Sequence, residues 1–194
     1  MITVFLDSSN TSLSVGLSKD NILIGKTSYE CWQEQSEFMI PELEKLLKEN
    51  KVNREDISDV VVAIGPGSYT GVRIAITIAK VMSAVLNIPL YPVSSLQILK
   101  CEKKPSICVI NARSNRSYVG VYSHDKCLLK DQIMSNDELR EYISSHPDYV
   151  LCGDTAYLGI EGYKSDILNQ MNSLKDSLIK CPNSYGLKPV YLKD

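Results

Sequence analysis

Val60-Val61-Val62-Ala63-Ile64-Gly65-Pro66-Gly67-Ser68-Tyr69-Thr70-Gly71 decides how the first half of this chain is built. Its opening run is apolar and mostly β-branched, as a strand covered on both faces in the middle of a sheet should be. Glycines break the strand, and a helix of about sixteen residues follows, ending near Leu86, with Ser68 or Thr70 as its N-cap. A loop joining a buried strand to a helix N-terminus can hold an anion on its free N–H groups. The spacing matches no standard phosphate motif: Val72 stands where a Walker loop needs Lys, and the glycines run GxGxxxG instead of GxGxxG. Glycines that allow positive φ and close helix-to-sheet packing are the favoured reading.

Working outward, Ile2 to Leu6 is a short apolar run that ends in Asp7-Ser8-Ser9-Asn10, a strand and its turn. Leu13 to Leu17 alternates with period two, and Ile22-Leu23-Ile24 begins a third strand. Between Gln35 and Glu49 the period becomes helical, with Met39, Leu43, Leu46 and Leu47 on one face; Pro41 either kinks this helix or starts its regular part. Ile88 to Val93 closes the half as a short strand. Three strands, helix, strand, helix, strand is the order of a ribonuclease H-like half. Beyond the charged stretch Lys100 to Pro105 the order restarts: strands at Ile107 to Ile110, Tyr118 to Tyr122 and Cys127 to Leu129, a capping box Ser135-Asn136-Asp137-Glu138 opening a helix to Ile143, and a strand Tyr149 to Cys152. Asn111 is placed like Asp7, and Gly153 like Gly65. Two such halves facing each other across a cleft make the two-lobed α/β architecture of actin and the sugar kinases. The expected lobes are residues 1–100 and 105–194, the second one shortened.

The composition bounds the function. The 194 residues are 44% hydrophobic and 23% charged, an ordinary globular balance, and 21 basic against 23 acidic residues give a net charge of -2. No global positive field draws in nucleic acid, so strong direct nucleic-acid binding is not expected. The six cysteines form no CxxC pair and read as reduced thiols of a cytoplasmic protein. The N-terminus lacks a basic leader, and no apolar stretch approaches the ~20 residues that span a bilayer, so neither export nor membrane insertion is expected.

Chemistry-bearing constellations are incomplete. Asp7 stands where kinases of this architecture hold Mg²⁺ and where ribonuclease H-like nucleases keep a carboxylate. The central strand, however, ends in Gly65, and the matching residue of the second half is Asn111, so a two-metal site lacks its acids. Ser8 and Thr11 read as braces of the strand end. His124 and His146, the only histidines, lie in polar turns and form no metal pattern, and Gly-x-Ser-x-Gly is absent. No catalytic residue, cofactor or metal is expected.

The helix after the glycine loop carries two apolar stripes. Ile74, Ile78, Val81, Met82 and Val85 read as its core face; Val72, Ala75, Ile76, Ala79 and Ser83 form a small-residue face beside it. Small residues let another helix approach closely, so this second face is a candidate partner interface, with Phe38 next door, unless the chain's own helix from Gln35 to Glu49 covers it.

Leu6-Asp7-Ser8-Ser9, Gly65-Pro66-Gly67-Ser68-Tyr69-Thr70-Gly71-Val72-Arg73-Ile74, Asn111-Ala112-Arg113 and Pro189-Val190-Tyr191-Leu192 together resemble the TsaB (YeaZ) family. That resemblance implies the actin-like fold and a non-catalytic scaffold subunit. The family's partner is TsaD, which transfers the threonylcarbamoyl group to the adenosine beside the anticodon in tRNAs reading codons that begin with A. TsaD is bound directly through first-lobe helices, and TsaE, an ATPase, joins the pair. The chain departs from the family at Gln35, where His is usual, at Asn111, where Asp is usual, and in a largely missing helical stretch between Ile179 and Lys188. Self-association of the isolated chain as a homodimer stays open. The alternative from another class is a small ATP-binding phosphotransferase or ATPase using the cleft between Asp7 and Gly153-Asp154; a stand-alone tRNA-binding protein is disfavoured by the charge.

Overall fold

The computed structural model describes residues 1–31, 33–124 and 126–192. In the first lobe, strands β1 (Ile2–Asp7), β2 (Ser12–Lys19), β3 (Ile22–Glu30), β4 (Ile57–Ala63) and β5 (Leu90–Val93) form one sheet in the order β3-β2-β1-β4-β5. The meander β1 to β3 is antiparallel, whereas β4 lies parallel to both β1 and β5. Helices α1 (Gln35–Glu49) and α2 (Tyr69–Leu86) make the two crossovers, since parallel neighbours need a long connection. Pro41 lies inside α1.

The second lobe repeats this plan without a second crossover. Strands β6 (Ser106–Arg113), β7 (Arg116–Ser123), β8 (Lys126–Ser135) and β9 (Val150–Gly153) run in the order β8-β7-β6-β9, with α3 (Asn136–Ser145) leading into β9. Ser135 and Glu138 form the expected capping box. The duplication extends to the turns. The Ser9 N–H donates to Asp7 Oδ1 at 2.9 Å, and the Arg113 N–H donates to Asn111 Oδ1 at 2.8 Å, the same two-residue turn at matching strand ends. Gly65 and Gly153, at the ends of β4 and β9, share φ values of 99° and 100°.

The central strands explain the layers. Along β1 and β4, side chains alternate between faces. Val4, Leu6, Val60 and Val62 meet α1 and α2, whereas Phe5, Val61 and Ala63 need a cover on the other side. That cover is α4 (Ile167–Leu174), which brings Leu168, Met171 and Leu174 against them. Asp166 caps α4, accepting from the Asn169 N–H at 3.1 Å, and pairs with Lys26 at 2.5 Å. Just past the helix, Lys175 pairs with Asp59 of β4 at 3.2 Å, both side chains almost fully buried.

The expected second lobe, 105–194, is therefore corrected. From α4 onward the chain returns to the first lobe, where the Cys181 N–H donates to the Leu90 carbonyl and the Val190 N–H to the Ile64 carbonyl, each at 2.8 Å. The uncovered face of the first sheet is the physical reason. By length and composition alone α2 could cross a membrane, but one of its faces is a core face of this lobe.

Candidate functional site

Between the lobes lies a cleft of about 720 Å³, lined from the first lobe by Asn10, Thr11, Gln35, Ser68 and Tyr69 and from the second by Asn111, Arg113, Tyr118 and Asp154. Its floor on the first-lobe side is the glycine loop pressed onto the turn after β1. The Ser68 N–H donates to the Ser9 carbonyl at 2.7 Å, Ser8 Oγ donates to the Gly71 carbonyl at 2.8 Å, and the Ser68 hydroxyl caps α2 by accepting from the Gly71 N–H at 3.3 Å. A Cβ on Gly71 would stand 1.9 Å from the Ser8 carbonyl oxygen. The loop glycines serve close approach of the loop to the turn after β1, and the Ser68 N–H at the start of α2 is already taken by the Ser9 carbonyl.

Asp7 is buried beneath this loop, and desolvation pushes its carboxyl above the usual aspartate range, against the pull of its hydrogen bonds from Ser9. Asp154, half-buried at the cleft, is also raised by burial, opposed by the Asn111 N–H that it accepts. Gln35 donates from Nε2 to the Asn10 carbonyl at 3.3 Å. Among the described residues no three His, Cys, Asp or Glu side chains converge as a metal site. Beside Ile74, Ile110 and Ala112 the cleft thus offers amides, hydroxyls, one guanidinium and one carboxylate, a lining of mixed polarity. At its mouth Tyr69 stacks on Tyr191 of the C-terminal tail, ring centroids 5.1 Å apart, and accepts a hydrogen bond from Arg73 at 2.6 Å.

The faces of α2 depart from the sequence reading: of the expected core stripe Ile74, Ile78 and Met82 do pack against the core, whereas Val81 and Val85 do not. Val72, Ala75, Ile76 and Ala79 sit in the first-lobe core with residues of β1, β4 and α1, and Ser83 is buried with its hydroxyl donating to the Ile88 carbonyl at 2.7 Å. As residues of a partner interface these five are corrected. A helix seated on a sheet approaches more closely with small side chains, and the contact of Gly71 with the turn after β1 draws the N-terminus of α2 inward. Outward point Val81, 57% exposed, and Val85, 75% exposed, while Ile74, Ile78 and Met82 pack half-buried against the edge of the core. Phe38, 39% exposed on α1, is accessible as expected, together with Ile40, which sequence reasoning missed. Ile40's displacement from the Met39/Leu43 stripe was the available signal.

Residues 30–140, more than half of the chain, match the family model described as TsaD: tRNA N6-adenosine threonylcarbamoyltransferase. The tRNA threonylcarbamoyladenosine biosynthesis protein TsaB of Bacillus subtilis is 33% identical over 137 residues, 69% of this chain and 60% of that protein. The chain thus spans about three fifths of that relative's length. An uncharacterized protein of Mycoplasma genitalium is 27% identical over 194 residues, covering 98% of this chain and 94% of that one. YeaZ from Pseudomonas aeruginosa has the same fold, with a TM-score of 0.78 over 98% of this chain and 99% of that one at 19% identity. Read with the duplicated actin-like lobes, these matches establish that the chain belongs to the TsaD family, among its TsaB (YeaZ) members.

Proposed function

We propose that this chain is a non-catalytic scaffold subunit in the biosynthesis of tRNA threonylcarbamoyladenosine. In this reading it docks a TsaD-type transferase directly through the first-lobe helices, TsaE joins the assembly, and the work is done in the cytoplasm. The observation that carries the reading is α2 itself. Its small-residue face is satisfied by the core, Ile74, Ile78 and Met82 pack half-buried against the edge of that core, and it still presents Val81 and Val85, one turn apart, to solvent. An isolated exposed apolar residue needs no explanation, whereas a stripe at helical spacing is the signature of a helix-to-helix interface. Phe38 supplies an aromatic anchor on the neighbouring helix. The non-catalytic half of the reading rests on the turn after β1, whose Ser9 carbonyl takes the Ser68 N–H that an anion at the glycine loop would need, which counts against a phosphotransferase.

The test is co-purification with TsaD of the same organism, followed by calorimetric titration of the isolated chain with Mg-ATP. A stable complex and no saturable ATP binding below about 1 mM are expected. Micromolar ATP binding with turnover, or failure to capture TsaD, would overturn the proposal.

A further inference from the structure

The seam between the lobes holds a polar cluster that neither the cleft nor the partner face uses. Ser94 is the first residue after β5, where the chain leaves the first lobe. Its hydroxyl donates to Asp131 Oδ2 of β8 at 2.5 Å and accepts from the Leu96 and Gln97 N–H groups at 3.1 and 3.3 Å. The other carboxylate oxygen, Oδ1, accepts from the Tyr122 hydroxyl of β7 at 2.5 Å. Both oxygens of Asp131 are thereby engaged, one by the connector and one by its own lobe. Gly120 of β7 leaves the room for this: a Cβ there would lie 2.4 Å from Asp131 Oδ1.

The cluster sits where the connector seals the second sheet. Leu96 and Leu99 pack on Cys108, Ile110, Tyr122 and Cys152, the face of that sheet turned away from α3. Lys100, buried further along the connector, donates from Nζ to the His124 carbonyl at the β7–β8 turn. The C-terminal tail crosses the same seam: Val190 binds the end of β4, and Leu192 lies with Arg116, Asp131 and Gln132.

We propose that Ser94, Asp131 and Tyr122 form a latch between the lobes, with Asp131 as its positioning residue, so that the cleft is held at one width and the molecule acts as a rigid body. Domain closure needs a few terminal residues free to change φ and ψ. Here the first connector residues are fixed by a carboxylate of the opposite lobe, through a hydroxyl that also accepts from the N–H groups of Leu96 and of Gln97, where the one-turn helix Gln97–Leu99 begins. A charge-assisted hydrogen bond from a hydroxyl to a carboxylate is among the stronger polar contacts, and burial sharpens its geometry. Burial also raises the Asp131 carboxyl, while the hydrogen bonds from Ser94 and Tyr122 draw it back.

Two measurements test the latch. Residual dipolar couplings of backbone amides report the relative order of the lobes. In the wild type both lobes should fit one alignment tensor of equal magnitude, and in Asp131→Ala the magnitudes should diverge. Hydrogen exchange of the Leu96 and Gln97 amides should quicken about tenfold in Ser94→Ala and in Asp131→Asn, the ratio expected of one net hydrogen bond. The double variant should be no faster than the faster single one, because the two side chains act as a unit. Tyr122→Phe, which deletes only a hydroxyl from an otherwise retained buried ring, carries the dipolar-coupling test if Asp131→Ala fails to fold. One shared tensor in every folded variant, unchanged connector exchange in Asp131→Asn, or additive acceleration in the double variant would overturn the latch. Quickened exchange spread evenly over β1 and β4 would equally do so, since it would show general destabilisation.

Discussion

Replacing Ala79 by Glu separates the two faces of α2. Ala79 is fully buried among Val60, Val62, Ala75 and the other first-lobe core residues. The longer side chain overfills this seam, which typically costs ~1–3 kcal/mol. Its carboxylate would also lie unpaired in an apolar core, a mechanism worth about 3–5 kcal/mol when a buried charge loses its partner. The sum, about 4 kcal/mol at the low end, is a large share of the ~5–15 kcal/mol that holds a typical domain together. For a chain of this size each kcal/mol moves the melting temperature by about 2–4 °C, so a fall of roughly 8–16 °C is expected. Val85→Glu, at 75% exposure on the opposite face, should leave stability within about 0.5 kcal/mol. It should instead weaken capture of TsaD by about thirtyfold or more, the equivalent of ~2 kcal/mol for a charge left unpaired in an interface. Scanning calorimetry of both variants beside surface-immobilised TsaD reads both effects. An Ala79→Glu protein that melts like the wild type but no longer binds TsaD, together with a Val85→Glu protein that still binds, would refute the assignment of faces.

Three further outcomes follow from buried contacts. Asp7→Asn should melt higher than the wild type at neutral pH. The folded state raises the Asp7 carboxyl above its usual 3.8, so ionisation is a cost that grows as pH rises through the folded value. The advantage should vanish in melts below that usual value, and a gap that widens toward acid would contradict the sign. Gly71→Ala, whose Cβ would stand 1.9 Å from the Ser8 carbonyl oxygen, should lower the urea midpoint by ~1–3 kcal/mol of stability at unchanged m-value; an unshifted midpoint would mean that the loop is slacker than drawn. Lys175→Met leaves the buried Asp59 carboxylate without its cation and should cost about 3–5 kcal/mol, largely regained in Asp59→Leu/Lys175→Met; equal loss in single and double variants in denaturant titration would count against the pair.

Much of this fold could be read from periodicity. The all-apolar Val60 to Ile64 announced a strand buried on both sides, and β4 is an interior strand, between β1 and β5. The matched positions Asp7 and Asn111, Gly65 and Gly153, announced the duplication, and the same turns and φ values recur at both. The helix α4 was not read. Its eight residues, Ile167–Leu174, are too few for a clear period, and nothing local says that they return to the first lobe. Yet the requirement was visible: a central strand apolar on both faces needs two covers, and the first half of the sequence supplies helices for only one. The seam was illegible for another reason. Ser94, Tyr122 and Asp131 are ordinary residues in a strand end and two strands, and only the spatial meeting of the connector with β7 and β8 joins them.

The inversion of α2 shows what hydrophobic pattern leaves undetermined. Both stripes are apolar, so the moment of the helix does not choose between them, and side-chain size points to the wrong one if large residues are taken as core by default. What chooses is distance of approach. Gly71 lies against the Ser8 carbonyl and Ser68 against Ser9, which seats the first turn of α2 directly on the end of β1. A helix held that close to a sheet has room only for small side chains along its line of nearest approach, and Ala75 and Ala79 fall on that line one and two turns beyond Gly71, with the larger Val72 and Ile76 buried beside it. Val81 and Val85 are then forced outward by geometry, whatever their hydrophobicity. The same close contact therefore also turns Val81 and Val85 to solvent. In this chain the seating of the first turn of α2 on β1 and the outward placing of Val81 and Val85 go together. A variant that loosens the first, such as Gly71→Ala, should accordingly weaken TsaD capture as well as stability, whereas Asp7→Asn, which leaves the backbone contact in place, should not.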